Sequence, residues 1–207
     1  MSFCMFLNFE KLSIQIIEDE ISKMDDSAKG MDFNTLETLN EEPFMNNLYH
    51  GCIAATFIVN LYETALNTIV GKRLGCTETD ILKTSHGVKL QLICTMCGVD
   101  LLKIKGSHNY ATVQSIIKVR NDITHFKDNE LFVGTFISND ITLPSGTSKE
   151  ALTKMFSKSY MDKCYKATIE FLELLCAECG FLLSKDCLVF DHDGRADLCE
   201  FICDKRT

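Results

Sequence analysis

Apolar residues recur every three or four positions along most of this 207-residue chain, which is the period of an α-helix with one buried face. From Phe6 to Met24 the pattern predicts a first helix, and the polar stretch Asp25 to Gly30 predicts a linker after it. From Pro43 to about Arg73 it predicts a long second helix, because proline suits the opening turn. The chain is therefore expected to be mainly helical.

Three further helices are predicted from the same period, with approximate bounds 77–97, 110–125 and 147–183. Polar residues suited to capping precede each of them: Thr77 or Thr79, Asn109, and Thr147 with Glu150. Five helices of this kind are therefore expected in the chain.

One segment departs from the helical period. Leu131 to Ile137 and Ile141 to Leu143 are rich in Val, Ile, Phe and Thr and are separated by three polar residues, which predicts a small β-hairpin and no other sheet. In the tail, Cys199 and Cys203 are four positions apart, as on one face of a short last helix. The expected organisation is an amino-terminal helix and linker (1–43), a helical domain with the hairpin insertion (44–185) and a carboxy-terminal extension (186–207).

The composition is that of a globular chain with room for one sizeable core, since 46% of the residues are hydrophobic and 24% are charged. No stretch approaches the roughly 20 apolar residues of a membrane-spanning helix. The apolar start, Met1 to Phe9, lacks a basic leader and is followed closely by acidic residues. These features predict a cytoplasmic protein with no export signal and no membrane partner.

Charge is distributed unevenly along the chain. The total of -8 argues against a protein that coats itself with nucleic acid, because phosphate binding is driven by clustered Lys and Arg. Residues 1–50 carry ten acidic side chains and three lysines, a net charge of -7, whereas residues 103–127 carry five basic side chains and one aspartate, a net charge of +4. The one basic segment is therefore the place to look for a phosphate contact.

Eleven cysteines without an export signal are expected to be reduced thiols, and their odd number leaves any full pairing incomplete. Cys94 with Cys97, and Cys176 with Cys179, have the spacing of zinc ligands. Both pairs end apolar helical runs and precede a glycine, so small hydrophobic core residues are the favoured interpretation, with no metal and no cofactor. A zinc-stabilised or thiol-based regulatory protein is the alternative if the two pairs converge in space.

The basic segment also contains residues suited to RNA cleavage. On a helix, Asn121 and His125 are about 40° apart around the axis, and Arg120 is about 140° from His125, so the three side chains can border one pocket. An imidazole transfers protons at neutral pH, and a guanidinium neutralises the oxygens of a pentacovalent phosphate. Attack by a ribose 2′-hydroxyl on the adjacent phosphorus needs these groups and demands no metal. On spacing alone, the favoured interpretation is that Arg120 and His125 are surface residues of an amphipathic helix.

Two segments resemble a known family. Lys118 to Phe126 looks like the signature of HEPN domains, an arginine and a histidine separated by four to six residues, with Asn, Asp or His directly after the arginine. Leu61 to Asn67 is similar to the acidic and amide-bearing helix that faces the motif helix in many HEPN proteins. The resemblance covers roughly Phe44 to Leu183. It implies an antiparallel helical bundle that forms a homodimer, with the two motif helices close to the two-fold axis.

The resemblance implies a metal-independent endoribonuclease of the toxin or antiviral defence type, with RNA as substrate and an antitoxin or regulatory protein as a further partner. It implies that His125 transfers a proton, that Arg120 holds the phosphate and that Asn121 orients the substrate or the histidine. It also assigns supporting residues: Glu63 as the partner that holds Arg120 or His125, and Asn67, Lys118 and Lys127 as RNA contacts.

One position departs from the family pattern. Members that work with a partner nucleotidyltransferase often have a tyrosine two residues after the histidine, and this chain has Lys127 there. A pairing with such an enzyme is therefore not expected. A non-catalytic HEPN-like module for dimerisation or nucleotide binding is the alternative within the same fold.

Overall fold

A computed structural model describes residues 9–26, 42–76, 79–124, 155–184, 189–190, 196–197 and 201–204. These residues are mostly helical. The predicted hairpin at 131–143, the capping box of Thr147 and Glu150, and Cys199 lie outside the described residues.

Two helices open the described chain, α1 (Phe9–Ser22) and α2 (Glu42–Thr68), and α2 continues into a π-helical turn, Ile69–Arg73. Five helices follow: α3 (Thr79–Leu82), α4 (His86–Cys97), α5 (Leu101–Lys105), α6 (His108–Thr124) and α7 (Lys158–Cys179). The last elements are four short strands, β1 (Phe181–Leu183), β2 (Val189–Phe190), β3 (Ala196–Asp197) and β4 (Ile202–Asp204). The two predicted amino-terminal helices are confirmed.

The predicted third helix is wrong as a single element, because the chain turns between α3 and α4. Thr84 bonds twice to the carbonyl of Ile81, through its backbone N–H at 3.1 Å and its hydroxyl at 2.7 Å. Ser85 then adopts an extended conformation, with ψ of 152°, at the amino-terminal cap of α4. Hydroxyl side chains that bond to nearby backbone compete with continuation of a helix, which is the physical reason for the break.

Helix α5 lies in a segment for which no element is predicted, and Asp100 explains its start. The Asp100 carboxylate accepts a hydrogen bond from the backbone N–H of Leu102 at 2.8 Å, as a helix cap does. Helix α6 then begins at His108, so the expected cap Asn109 lies inside the helix instead. The Asn109 amide donates to Glu170 of α7 at 2.9 Å, a contact that sequence spacing does not reveal.

Helix α7 ends at Cys179, before the predicted bound near 183, because Gly180 has a φ of +81°. Glycine adopts this left-handed conformation without a Cβ penalty, and it commonly ends helices in this way. The chain continues as β1, which pairs antiparallel with β4, while β2 pairs antiparallel with β3. The expectations of no second sheet and of a helix through Cys203 are therefore wrong, because Cys203 pairs with Leu182 across two strands.

The chain divides into two compact units. The first unit comprises Met1–Gln15, Asn60–Val113 and Ala167–Thr207, and the second comprises Ile16–Val59 and Gln114–Lys166. In the first unit, the ring of Phe171 lies 5.9 Å from that of Tyr62 and 5.7 Å from that of Tyr110, measured between centroids.

The second unit is held by hydrogen bonds between its helices and their connections as well as by apolar packing. Asn47 of α2 bonds to the backbone of Asp25 in both directions. The Ser115 hydroxyl of α6 lies 2.8 Å from the Tyr160 hydroxyl of α7. The buried Gly51 faces Phe156, so the absence of a side chain at position 51 lets the aromatic ring approach the helix backbone.

Within the described part of the chain, one helix, Met45–Arg73, is long and apolar enough to cross a membrane by length and composition, with a mean hydropathy of 1.3 over an 18-residue window. The expectation that no stretch has such a composition is therefore wrong for this helix. Since 56% of that window is buried inside the protein, a helix packed in the protein core explains the same composition. The helix by itself assigns no compartment.

Candidate functional site

Helix α6 positions the residues of the Arg-Asn motif. Its inner face is formed by Val113, Ile116, Ile117 and Val119, all of which are almost completely buried. The helical period places Val113, Ile116, Ile117 and Ile123 on one face, but the structure leaves Ile123 only half-buried. Burial of one face fixes the rotation of the helix about its axis, and so it decides which motif side chains remain accessible.

Arg120 and Asn121 are consecutive, half-buried residues within the last two turns of α6, in the second unit. Lys118 is exposed on the same helix. The guanidinium carries five N–H donors and a permanent positive charge, so a half-buried arginine at this position is suited to binding a phosphate or a carboxylate. The described part of α6 ends at Thr124, and His125 and Lys127 lie outside the described residues.

Glu63 lies on α2 in the first unit, where it is close to the amine of Lys89 on α4. Lys89 is 6% exposed, and burial lowers the pKa of its amine while the negative charge of Glu63 opposes that shift. Glu63 was predicted to support the motif arginine or histidine. The structure gives its carboxylate a cationic neighbour, Lys89, that the motif does not include.

Lys89 was missed by sequence reasoning, although the sequence contains a signal for its burial. It is four residues before the buried Ile93 on α4, and residues four apart share one face of a helix. A lysine on the same face as a core isoleucine needs a carboxylate neighbour, and Glu63 on another helix provides one.

Asn67 lies in the first unit and lines a surface cavity of about 370 Å³. The other lining residues come from α2, the π-helical turn and α3: Thr64, Thr68, Gly71, Lys72 and Leu82. The Asn67 side-chain oxygen is buried and has no hydrogen-bond partner among the described residues. Asn67 and the cationic Lys72 therefore line one cavity beside a π-helical turn, a feature that is frequent at functional sites.

The two Cys-x-x-Cys pairs meet in the first unit. The Cys97 thiol at the end of α4, together with those of Cys94 and Cys176, is close enough to the Cys179 thiol at the end of α7 to affect its pKa. Burial, followed by the neighbouring thiols with Cys97 first among them, raises the pKa of Cys179 well above its ordinary value. The expected placement at helix ends is confirmed, and so is the burial of Cys94 and Cys176, whereas Cys97 and Cys179 are only half-buried.

No family model, curated protein or solved structure matches this chain. Within the described residues, no three His, Cys, Asp or Glu side chains are arranged to hold a metal ion as they stand.

Proposed function

We propose that this protein is a metal-independent endoribonuclease of the HEPN type. The proposal rests on one observation, which is that Arg120 and Asn121 are adjacent, half-buried side chains near the carboxyl end of α6, with His125 directly after its last described residue. The core face of α6 includes Val119, so Arg120 and Asn121 are anchored on a packed helix.

In the proposed reaction, His125 removes the proton from a ribose 2′-hydroxyl, and the resulting oxygen attacks the adjacent phosphorus. The bond from phosphorus to the 5′-oxygen breaks, and the leaving oxygen takes up a proton. Arg120 neutralises the charge that develops on the non-bridging oxygens, since a guanidinium binds two such oxygens side by side. The products are a 2′,3′-cyclic phosphate and a 5′-hydroxyl.

Asn121 orients the substrate or the imidazole in this scheme, and the exposed Lys118 contacts a neighbouring phosphate, as does Lys127. Glu63 and Asn67 are further candidates for residues that support the site. The position of Asn67 at a cavity that Lys72 also lines supports a ligand contact for Asn67. The Lys89 amine near Glu63 supports a structural role for that carboxylate. We further propose that the protein forms a homodimer in which the two motif helices are adjacent. Its proposed role is that of a cytoplasmic toxin or antiviral defence effector that an antitoxin or regulatory protein restrains.

The test is cleavage of end-labelled single-stranded and hairpin RNA in EDTA by the purified chain, with helicity followed by circular dichroism in the same buffer. We expect 2′,3′-cyclic phosphate ends. His125→Ala should lower the rate by about 10²- to 10⁴-fold, the usual contribution of a general acid or base. Arg120→Lys should lower the cleavage rate less than Arg120→Ala, because lysine keeps the positive charge but cannot form bidentate hydrogen bonds.

The matched control is His108→Ala, which removes an exposed histidine from the other end of the same helix and should leave the rate unchanged. Cleavage that persists at the wild-type rate in His125→Ala would contradict the proposal. So would an absolute need for a divalent metal ion, or products that carry 3′-hydroxyl ends. Total cellular RNA compared after brief expression of the wild type and of His125→Ala would identify the class of RNA that is cut.

A further inference from the structure

A surface cavity of about 370 Å³ lies in the first unit, beside the π-helical turn that follows α2. We name it the π-turn cavity. Small-molecule sites in proteins usually enclose about 300–1,000 Å³, and they combine an apolar wall with a few polar groups. The π-turn cavity has a mainly apolar wall and falls within this range, so a small organic ligand would fit it.

Most of the lining comes from one side of a continuous helical segment. Thr64, Thr68 and Lys72 follow one another at intervals of four residues, and residues four apart are neighbours on a helix surface. Two hydroxyl groups and an amine therefore lie along one stripe of the cavity. Asn67 and Gly71 lie beside this stripe, and Leu82 of α3 completes the lining among the described residues.

Gly71 leaves space inside the cavity. A Cβ at position 71 would lie 3.8 Å from Cδ2 of Leu82, which is an ordinary van der Waals distance. A side chain at this position would therefore extend beside Leu82 without a clash, into space that glycine leaves open. A flat apolar group of a ligand can occupy the same space and contact the Leu82 side chain.

Lys72 supplies the charge of the cavity. It is exposed, and it is the charged member of the described lining residues. Within the described part of the chain, its amine forms no salt bridge and no hydrogen bond. An ammonium group carries three N–H donors and binds phosphate as a point charge. A ligand with a negative group would therefore give this amine a partner.

Thr68 connects the cavity to a buried carboxylate. Its hydroxyl donates a hydrogen bond to Oε1 of Glu10 at 2.5 Å, and Glu10 is only 7% exposed. The donor of Thr68 is therefore already used, and its oxygen remains available as an acceptor. The negative charge of Glu10 opposes an anion near Thr68, so we expect the anionic group of a ligand at Lys72, one turn farther along the stripe.

We propose that the π-turn cavity binds a small phosphate monoester, with the phosphate at Lys72 and a flat apolar group against Gly71 and Leu82. A phosphate monoester is favoured over a carboxylate because its larger charge strengthens the attraction to a single ammonium group. This inference does not depend on the ribonuclease proposal, since it concerns binding of a free small molecule and involves no cleavage.

The experiment titrates the full-length protein with phenyl phosphate and follows binding by ligand-observed NMR. For a ligand of this size we expect a Kd of about 1 mM or tighter. Benzoate should bind more weakly, and inorganic phosphate and benzyl alcohol should each bind at least about tenfold more weakly, because each lacks one of the two recognised parts. Added salt should weaken the binding of phenyl phosphate, since Lys72 is exposed.

Two substitutions test the location of the ligand. Lys72→Gln should weaken the binding of phenyl phosphate by about three- to tenfold, as for loss of one charged hydrogen bond near solvent. The control is Lys83→Gln, which removes an exposed lysine that does not line the cavity and should leave the Kd unchanged.

Gly71→Leu should reduce binding at least about tenfold by filling the cavity. Its control is Gly87→Leu, since a Cβ at position 87 meets nothing closer than the Ser85 hydroxyl oxygen at 4.0 Å. Circular dichroism of each variant distinguishes a filled cavity from a lost fold. If Gly71→Leu does not fold, Lys72→Gln still tests the site.

The titrations are repeated in Arg120→Ala protein, in which the proposed ribonuclease site lacks its phosphate-binding group. Binding that remains in this protein and is weakened by Lys72→Gln belongs to the cavity. Three results would overturn the inference: no binding of phenyl phosphate by the wild type at several times the expected Kd, binding that Lys72→Gln leaves unchanged, and benzyl alcohol bound as tightly as phenyl phosphate. Failure of RNA cleavage would leave it intact.

Discussion

Nδ1 of His50 and Oε2 of Glu20 lie 2.6 Å apart, and this hydrogen bond joins α2 to α1 inside the second unit. The other carboxylate oxygen of Glu20 accepts from the Lys23 amine at 2.9 Å. The side chains of Glu20 and His50 are only 12% and 15% exposed, so solvent screens their interaction less than it screens an ion pair on the surface. Protonation of the Glu20 carboxylate is therefore expected to weaken the contact between these two helices.

The pH dependence of stability follows from the pKa of Glu20. Burial would raise this pKa, but the hydrogen bonds from His50 and Lys23 outweigh burial and lower it below the ordinary value of 4.5. A carboxyl whose pKa is lower in the fold than in the unfolded chain contributes fully above the unfolded value, and its contribution is lost as pH falls through the folded one. Urea unfolding should therefore show stability declining below about pH 4.5 in the wild type.

Glu20→Gln should lower the free energy of unfolding at pH 7 by about 1–2 kcal/mol and remove part of the decline in acid. Asp19→Asn is the control. The Asp19 side chain is 61% exposed and bonds to the same lysine, so its loss should cost well under about 1 kcal/mol. Identical acid profiles for wild type and Glu20→Gln would show that the His50 contact does not act on the stability of the fold.

Two neighbouring asparagines of α2 should differ in their effect on stability. Asn47 is 2% exposed and exchanges two hydrogen bonds with the backbone of Asp25, at 2.6 and 2.8 Å. Asn46 is half-buried and donates one bond to the carbonyl of Lys23. Asn47→Ala removes a buried side chain together with both of its hydrogen bonds to Asp25, so we expect a loss of about 2 kcal/mol. Asn46→Ala should lose less than about 1 kcal/mol, and equal losses in denaturant titrations would contradict this account.

Gly51→Ala tests the close approach of Phe156 to α2. Alanine stabilises a helix interior by about 1 kcal/mol relative to glycine. Here a Cβ at position 51 would lie 2.9 Å from Cδ1 of Phe156, a ring that is 2% exposed and has little room to move. The clash should outweigh the helix propensity and give a net loss of about 1–2 kcal/mol.

The comparison for this substitution is Gly87→Ala in α4. A Cβ at position 87 meets nothing closer than the Ser85 hydroxyl oxygen at 4.0 Å, so this change should leave stability unaltered or raise it by up to about 1 kcal/mol. Thermal unfolding of both variants measures these two changes in stability. A stabilising Gly51→Ala would mean that Phe156 does not pack on the helix as described.

Tyr62 and Tyr160 differ in whether their hydroxyls are satisfied. The Tyr62 hydroxyl is buried without a hydrogen-bond partner among the described residues, and burial raises its pKa well above the ordinary value. The Tyr160 hydroxyl bonds to Ser115 at 2.8 Å. Tyr62→Phe should be neutral or stabilising by up to about 1 kcal/mol, whereas Tyr160→Phe should destabilise by about 1 kcal/mol. Destabilisation by Tyr62→Phe as large as that by Tyr160→Phe would reveal a partner for the buried hydroxyl.

The motif illustrates what local spacing is able to predict. Arg120 and Asn121 share the end of one helix because they are adjacent in sequence, and the apolar period of Val113, Ile116 and Ile117 shows which face is core. The position of Glu63 beside Lys89 was not predictable in this way. The two residues belong to different helices, and the packing of those helices depends on side chains along their whole length.

The ends of the helices were the least accurate part of the prediction for a related reason. The break at Thr84 and Ser85 and the end of α7 at Gly180 depend on single hydrogen bonds and on one backbone conformation. Periodicity averages over a dozen residues, so it does not resolve such events. The pairing of β1 with β4 is a long-range contact between short strands, and a run of three residues has too little pattern to predict a partner.

By itself, the sequence determined that this chain is mainly helical, which faces of its helices are apolar, and which thiols share a helix turn. These properties depend on residues within a few positions of one another, because the geometry of a helix relates near neighbours directly. Only the tertiary structure decided that Cys94 and Cys97 meet Cys176 and Cys179, and that Lys89 lies near Glu63. Such meetings are set by how separate helices pack to bury their apolar surface, and no spacing along the chain records that arrangement.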